Sequence, residues 1–169
     1  MLAEGFDYHS VTSHLIGQDT PDPQAVCEDY FNQYIVQSGI YQSATISLID
    51  CSKMEPLAEI CAEMFEKYRL NIQNMPAVNV QRYFRSNQHW FYDLLDIIVN
   101  AGASENELQA LQEALDHCIQ YKAATESFMG SFDINTYSGL SMYLPSNGTA
   151  ELDKFYKTLK WNQATSLVK

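Results

Sequence analysis

Two segments of this chain, Thr45 to Ile49 (Thr-Ile-Ser-Leu-Ile) and Leu140 to Leu144 (Leu-Ser-Met-Tyr-Leu), read as buried β-strands, and a long stretch of mostly helical pattern separates them. Two isolated strands are marginal in water, and each carries backbone donors and acceptors that must be satisfied. Either weaker strands are hidden elsewhere, or the rest of the sheet belongs to another polypeptide segment. The second possibility would make this chain one part of a larger machine.

At 169 residues, 46% hydrophobic and 12% aromatic, the chain can form one domain with a sizeable core, and residues 1–169 read as a single domain or fragment. A formal charge of -11 argues against nucleic acid or an anionic membrane as the main partner, since both select clustered Lys and Arg. Basic or neutral partners fit better. Every formally charged residue before Lys53 is acidic: Glu4, Asp7, Asp19, Asp22, Glu28, Asp29 and Asp50. That region is either a surface attracting basic groups or a cation, or a solvated acidic helix face with its turns. No stretch approaches 18 uninterrupted apolar residues, so no membrane span is expected, and the first residues have neither the basic start nor the apolar run of a signal peptide.

Helical punctuation organises the chain. Asp22 with Pro23 opens a helix carrying Val26, Cys27, Tyr30, Phe31, Tyr34 and Ile35 on one face, ending near Ser38-Gly39. After the first strand, Ser52 and Glu55 form a capping box for a helix bearing Leu57, Ile60, Cys61, Met64, Phe65 and Tyr68. Residues 70–76 read as a connection, and residues 78–85 and 89–99 as aromatic-rich helices. Ser104 and Glu107 box a further helix, with Leu108, Leu111, Leu115, Cys118 and Ile119 on its stripe, expected to run to about Lys122. Residues 130–139 are turn-rich. Pro145 ends the second strand, Asn147-Gly148-Thr149 is formally a glycosylation sequon but reads as a turn, and the end of the chain carries one or two short helices with Leu152, Phe155, Tyr156, Leu159 and Trp161 facing inward.

No catalytic set emerges from these residues. Cys27, Cys51, Cys61 and Cys118 include no Cys-x-x-Cys pair, and no His stands at ligand spacing from a Cys pair, so no zinc or other metal site is expected. Three of the four lie among apolar neighbours in helical patterns and read as core thiols. Cys51 follows a buried strand directly, where α/β proteins place reactive groups, and His9 or His14 could serve it as a base. A nucleophilic thiol needs a nearby cation or helix N-terminus; only the second is present, and Asp50 works against it. His117 and Cys118 point about 100° apart around a helix and do not face each other, and His89 reads as a helix-start residue. Glu59, Glu63 and Glu66 form a solvated helix face. Glycine-rich phosphate loops, Gly-x-Ser-x-Gly elbows and spaced acidic calcium loops are all lacking, so no cofactor is implied.

The strands carry a resemblance. Ala44 to Lys53 (Ala-Thr-Ile-Ser-Leu-Ile-Asp-Cys-Ser-Lys) and Tyr137 to Pro145 (Tyr-Ser-Gly-Leu-Ser-Met-Tyr-Leu-Pro) resemble two signatures of the clostripain family of cysteine peptidases. Ala3 to Tyr8 is similar to the segment soon after the family's nucleophile strand, and Tyr156 to Thr165 to its C-terminal end. The four matches run in family order. The resemblance implies a caspase-like α/β fold, of which this chain is the helix-rich C-terminal part of an α/β/α sandwich with few strands of its own. It places the catalytic His and Cys upstream, so no catalytic residue is expected here, and it puts Cys51 at a position that tends to be apolar. It also implies that the acidic residue selecting Arg or Lys lies upstream, and leaves Glu4 and Asp7 as the residues of this chain that could flank that pocket.

Family membership further implies peptide or protein substrates, the upstream catalytic segment of the same protein as partner, inactivity of this chain alone, and export from a bacterial cell. The alternative is a non-catalytic binding or assembly module whose open sheet edge pairs with a partner strand.

Overall fold

A computed structural model of the chain describes residues 6–84 and 91–169, with side chains from Ser10 onward in those ranges. The helices are α1 (Phe6–His14), α2 (Pro23–Ile35), α3 (Met54–Lys67), α4 (Arg69–Asn74), α5 (Leu94–Asn100), α6 (Glu105–Cys118), α7 (Ala150–Tyr156) and α8 (Lys160–Thr165). The strands are β1 (Thr45–Ile49), β2 (Tyr92–Asp93), β3 (Ile119–Ala124), β4 (Ser127–Phe128), β5 (Phe132–Asp133) and β6 (Ser141–Met142). They pair antiparallel in twos, β1 with β3, β2 with β6 and β4 with β5. Weak strands are therefore hidden in the chain, as the first of the two sequence possibilities required. Two compact units result: unit 1 is the chain up to Ile49 with Ile119–Asn135, and unit 2 is Asp50–Cys118 with Thr136–Lys169.

In unit 1, Asp22 Oδ1 accepts from Ala25 N at 3.0 Å with Pro23 at the first position of α2, as the sequence predicts. The helix stops at Ile35, before the expected Ser38-Gly39 turn, where Gly39 takes a φ of 59°. Asp29 Oδ2 accepts from Ser10 Oγ at 2.9 Å and lies 3.0 Å from His14 Nε2, which ties α1 to α2. β1 runs against β3 from Thr45↔Ala124 to Ile49↔Ile119, with a bulge between Leu48 and Ile49 that leaves Gln120 as the extra residue. Buried Thr125 closes this ladder: its hydroxyl accepts from Ala44 N at 3.0 Å and its amide donates to Ala44 O at 3.0 Å.

β3 corrects the helix expected to reach Lys122. Half-buried Ile119, Tyr121 and Ala123 alternate with exposed Gln120 and Lys122, so a period of two overrides the helical stripe once β1 offers a ladder.

Unit 2 holds nearly all of the core. α3 buries Leu57, Cys61, Met64 and Phe65, α6 buries Leu111, Leu115 and Cys118, and α3 packs against both α6 and α8. Ser104 and Glu107 pair at the start of α6 in half of the expected box: Glu107 Oε2 accepts from Ser104 N at 3.0 Å and from Ser104 Oγ at 2.6 Å, so the hydroxyl donates to the carboxylate. The Ser52–Glu55 box does not. Asp50 Oδ1 accepts from Ser52 N at 2.9 Å and caps a single 3-10 turn, Cys51–Lys53, before α3 begins. The end of the chain is clamped: Asn162 Nδ2 donates to Val168 O at 2.9 Å, and Asn162 Oδ1 accepts from Val168 N at 2.8 Å.

Three further expectations need correction. Residues 70–76 are not a connection, because α4 occupies Arg69–Asn74. The helices expected at 78–85 and 89–99 reduce to a 3-10 turn, Ala77–Asn79, and to α5, with Gln81 to Tyr83 extended against Phe91 to Asp93 through Asp93 N to Gln81 O (2.9 Å) and Tyr83 N to Phe91 O (3.1 Å). Asp93, by capping α5, fixes where that helix can start; His89 lies outside the described residues. Phe155, expected inward, is 63% exposed, whereas Tyr156 beside it is buried. Of the predicted strand at 140–144, Ser141–Met142 alone enters the ladder.

Gly148 offers a direct test of packing. Its φ of -95° suits any residue, but a Cβ there would stand 1.5 Å from the Tyr143 hydroxyl, which donates to Asp153 at 2.6 Å. Gly148→Ala should therefore destabilise the protein by about 1–3 kcal/mol, seen as a lower urea midpoint with unchanged slope. A midpoint equal to that of the parent protein would contradict this packing.

Candidate functional site

The β2–β6 pair organises the most elaborate polar site among the described residues. Tyr92 pairs with Met142 and Asp93 with Ser141, while Leu94 N donates to Leu140 O at 3.0 Å. Asp93 is wholly buried. Its Oδ1 accepts from Asp96 N at 3.0 Å, capping α5, and its Oδ2 accepts from Ser138 N at 2.7 Å and from Tyr83 Oη at 2.6 Å. Tyr83 Oη also lies 2.6 Å from Thr136 O. Asp96 Oδ2 accepts from Gln81 N at 2.6 Å. One carboxylate thus holds three stretches of backbone, at residues 81–83, 93–96 and 136–141.

The electrostatics follow from burial. Desolvation, with the Asp93 charge beside it, pushes the Tyr83 hydroxyl far above the usual tyrosine range, so it remains a donor at neutral pH. Asp96 is also raised, first by burial and also by Asp93, against the opposing hydrogen bond from the Gln81 amide. Asn147 Nδ2 donates to Tyr92 Oη at 2.6 Å, so the sequon asparagine is engaged in the fold as a turn residue.

Beside this network lies an apolar cleft of about 450 Å³, walled by Met54, Leu94, Leu140, Met142, Phe155 and Trp161. Tyr143 and Tyr156 also face it, their rings 4.9 Å apart. The cleft can hold an apolar group. Among the described residues its walls carry no thiol, imidazole or carboxylate, and its polar groups are those of Ser141, Tyr143, Tyr156 and Trp161.

Among the described residues, the candidates named from the sequence are not brought together. Glu4 lies outside the described residues, and of Asp7 and His9 only the backbone, within α1, is described. Cys51 is exposed on the turn after β1, and His14 is engaged by Asp29. Burial raises the thiols of Cys27 and Cys118, and that of Cys61 to about 12, which keeps all three protonated at neutral pH. Among the described residues no group of three or more His, Cys, Asp or Glu could hold a metal ion, and no helix is long and apolar enough to cross a membrane. The sequence reading missed the Asp93 site. Its signal was the spacing Asp93-x-x-Asp96 ahead of an apolar run, an acidic version of a capping box.

Asp96 sets a pH dependence of stability. With its pKa raised above the unfolded value of 3.8, its contribution is fully present below that value and is lost as the pH rises through the folded one. Between about pH 4 and pH 7, the parent protein should therefore lose more urea stability than Asp96→Asn, which keeps an acceptor for Gln81 N. An identical change in both proteins would contradict the assignment.

Residues 1–168 match the sequence profile described as the clostripain family. An inactive zymogen C11 protease from Parabacteroides distasonis is similar in structure, with a TM-score of 0.80, 24% identity and coverage of 98% of this chain and 49% of that one. A clostripain from Bacteroides thetaiotaomicron in complex with the peptide inhibitor BTN-VLTK-AOMK has a TM-score of 0.77 at 25% identity, covering 98% and 72%. A secreted C11 cysteine protease from the same organism has a TM-score of 0.77 at 25% identity, covering 98% and 46%. No curated protein matches the chain. It spans about half the length of the zymogen and of the secreted protease. The fold is the helix-rich, caspase-like α/β fold of these proteases, and the chain belongs to the clostripain family.

Proposed function

We propose that these 169 residues are the post-nucleophile, C-terminal part of a clostripain-like cysteine endopeptidase, which in its complete form hydrolyses peptide bonds after Arg or Lys. The observation that carries this reading is the family match over residues 1–168, combined with coverage of only 49% of the zymogen relative. The preceding part of the same protein supplies the His and Cys, and this chain alone is inactive. The three thiols held protonated by burial support that division of labour.

A basic side chain at the cleavage site suits the acidic start of the chain, where Glu4 and Asp7 flank the pocket. The inhibitor VLTK bound by the Bacteroides clostripain includes a lysine, in keeping with that preference. The secreted relative supports export as the location.

The 169-residue chain should turn over no fluorogenic Arg- or Lys-terminated peptide under reducing conditions. The same residues preceded by the rest of their reading frame should cleave both in a thiol-dependent manner. In that complete protein, Glu4→Gln and Asp7→Asn should raise KM several-fold with little change in kcat. Cleavage by the isolated chain that disappears in Cys51→Ala would overturn the reading.

A further inference from the structure

Unit 2 holds a second hollow, of about 420 Å³, between α3 and α8. Met54, Glu55 and Glu59 line it from α3, and Lys160 and Trp161 from α8. Met54 and Trp161 also wall the 450 Å³ cleft, so the two spaces adjoin across these side chains. One space is lined mainly by apolar groups, and the other carries three charged side chains. Glu55 and Glu59 stand one turn apart on the same face of α3, and both are exposed, as is Lys160. None of the three is ion-paired among the described residues, although Glu66, Lys67, Arg69, Glu107 and Lys169 of the same unit all are. Charges of both signs therefore face one hollow without neutralising each other. A bare cation would meet Lys160 there, and a bare anion would meet two carboxylates. A group that carries both charges suits both sides.

We infer that the cleft and the hollow together bind a free amino acid with a large apolar side chain, its side chain in the cleft, its carboxylate toward Lys160 and its ammonium toward Glu55 and Glu59. The cleft is within the size range of small-molecule sites, about 300–1,000 Å³. Phe91, Phe155, Tyr156 and Trp161 give it aromatic walls for a flat ring. A free amino acid bears both charges on one carbon, so both reach a single hollow. In a peptide each added residue moves the two termini up to about 3.3–3.6 Å further apart. The inference goes beyond peptide hydrolysis and does not depend on it, since the lining residues belong to unit 2 and none of them is a thiol or an imidazole.

Calorimetric titration of the 169-residue chain, alone and within the complete protein, tests this with four probes that share an indole: L-tryptophan, tryptamine, indole-3-propionate and N-acetyl-L-tryptophanamide. L-tryptophan should bind at one site, and the other three, which lack one or both charges, about threefold more weakly or worse. Lys160→Gln should weaken L-tryptophan and indole-3-propionate about two- to fivefold and spare tryptamine. Glu55→Gln with Glu59→Gln should weaken L-tryptophan and tryptamine to a similar degree and spare indole-3-propionate. Phe155→Ala should weaken all four. These positions are exposed, so each variant should keep the urea midpoint of the parent protein.

L-tryptophan that fails to bind the complete protein overturns the inference, and so does binding that is indifferent to the charge variants. N-acetyl-L-tryptophanamide binding as tightly as L-tryptophan would mean that the cleft takes a residue within a peptide chain. Equal binding of tryptamine or of indole-3-propionate would leave one side of the hollow unused. Either result contradicts the assignment.

Discussion

One buried carboxylate, Asp93, is the constraint on which the rest of unit 2 depends. It accepts three hydrogen bonds, from Asp96 N, Ser138 N and Tyr83 Oη, and each donor comes from a different stretch of chain. A wholly buried charge is costly unless such donors satisfy it, and removing them would leave the full desolvation penalty in place. That asymmetry pins the start of α5, the β2–β6 register and the turn-rich entry to β6 together. The apolar cleft inherits its shape from the same contacts, since Leu94 and Leu140, which wall it, are joined by a backbone hydrogen bond directly beside Asp93.

The two units differ in how their apolar residues are used. Unit 2 encloses its aliphatic residues between α3, α6 and α8 and clamps its own terminus through Asn162. Unit 1 has helices and a sheet of ordinary sequence, but its apolar side chains lie half in solvent. The zymogen and the secreted protease, which share this fold, are each about twice as long as the chain.

Strong local signals were legible in the sequence. The Asp22-Pro23 start of α2, the Ser104–Glu107 pair and the apolar stripes of α3 and α6 all appear where capping chemistry and a 3.6-residue period put them. What escaped was decided by pairing at a distance. Residues 119–124 continue a helical stripe as well as they alternate, and the ladder to β1 chooses between the two. Phe91 to Asp93 have no strand signal of their own; they are extended because Gln81 to Tyr83 and Ser141-Met142 accept them on either side. The Asp93 site was hidden for a similar reason, as its donors Tyr83 and Ser138 are 10 and 45 residues away along the chain.

The central claim is that the cysteine chemistry of this protein resides outside these 169 residues, and the site of covalent capture tests it most directly. A peptide electrophile ending in Arg or Lys, applied to the complete protein and mapped by mass spectrometry, should label one cysteine that lies outside residues 1–169. Label found instead on Cys27, Cys51, Cys61 or Cys118 would contradict the account.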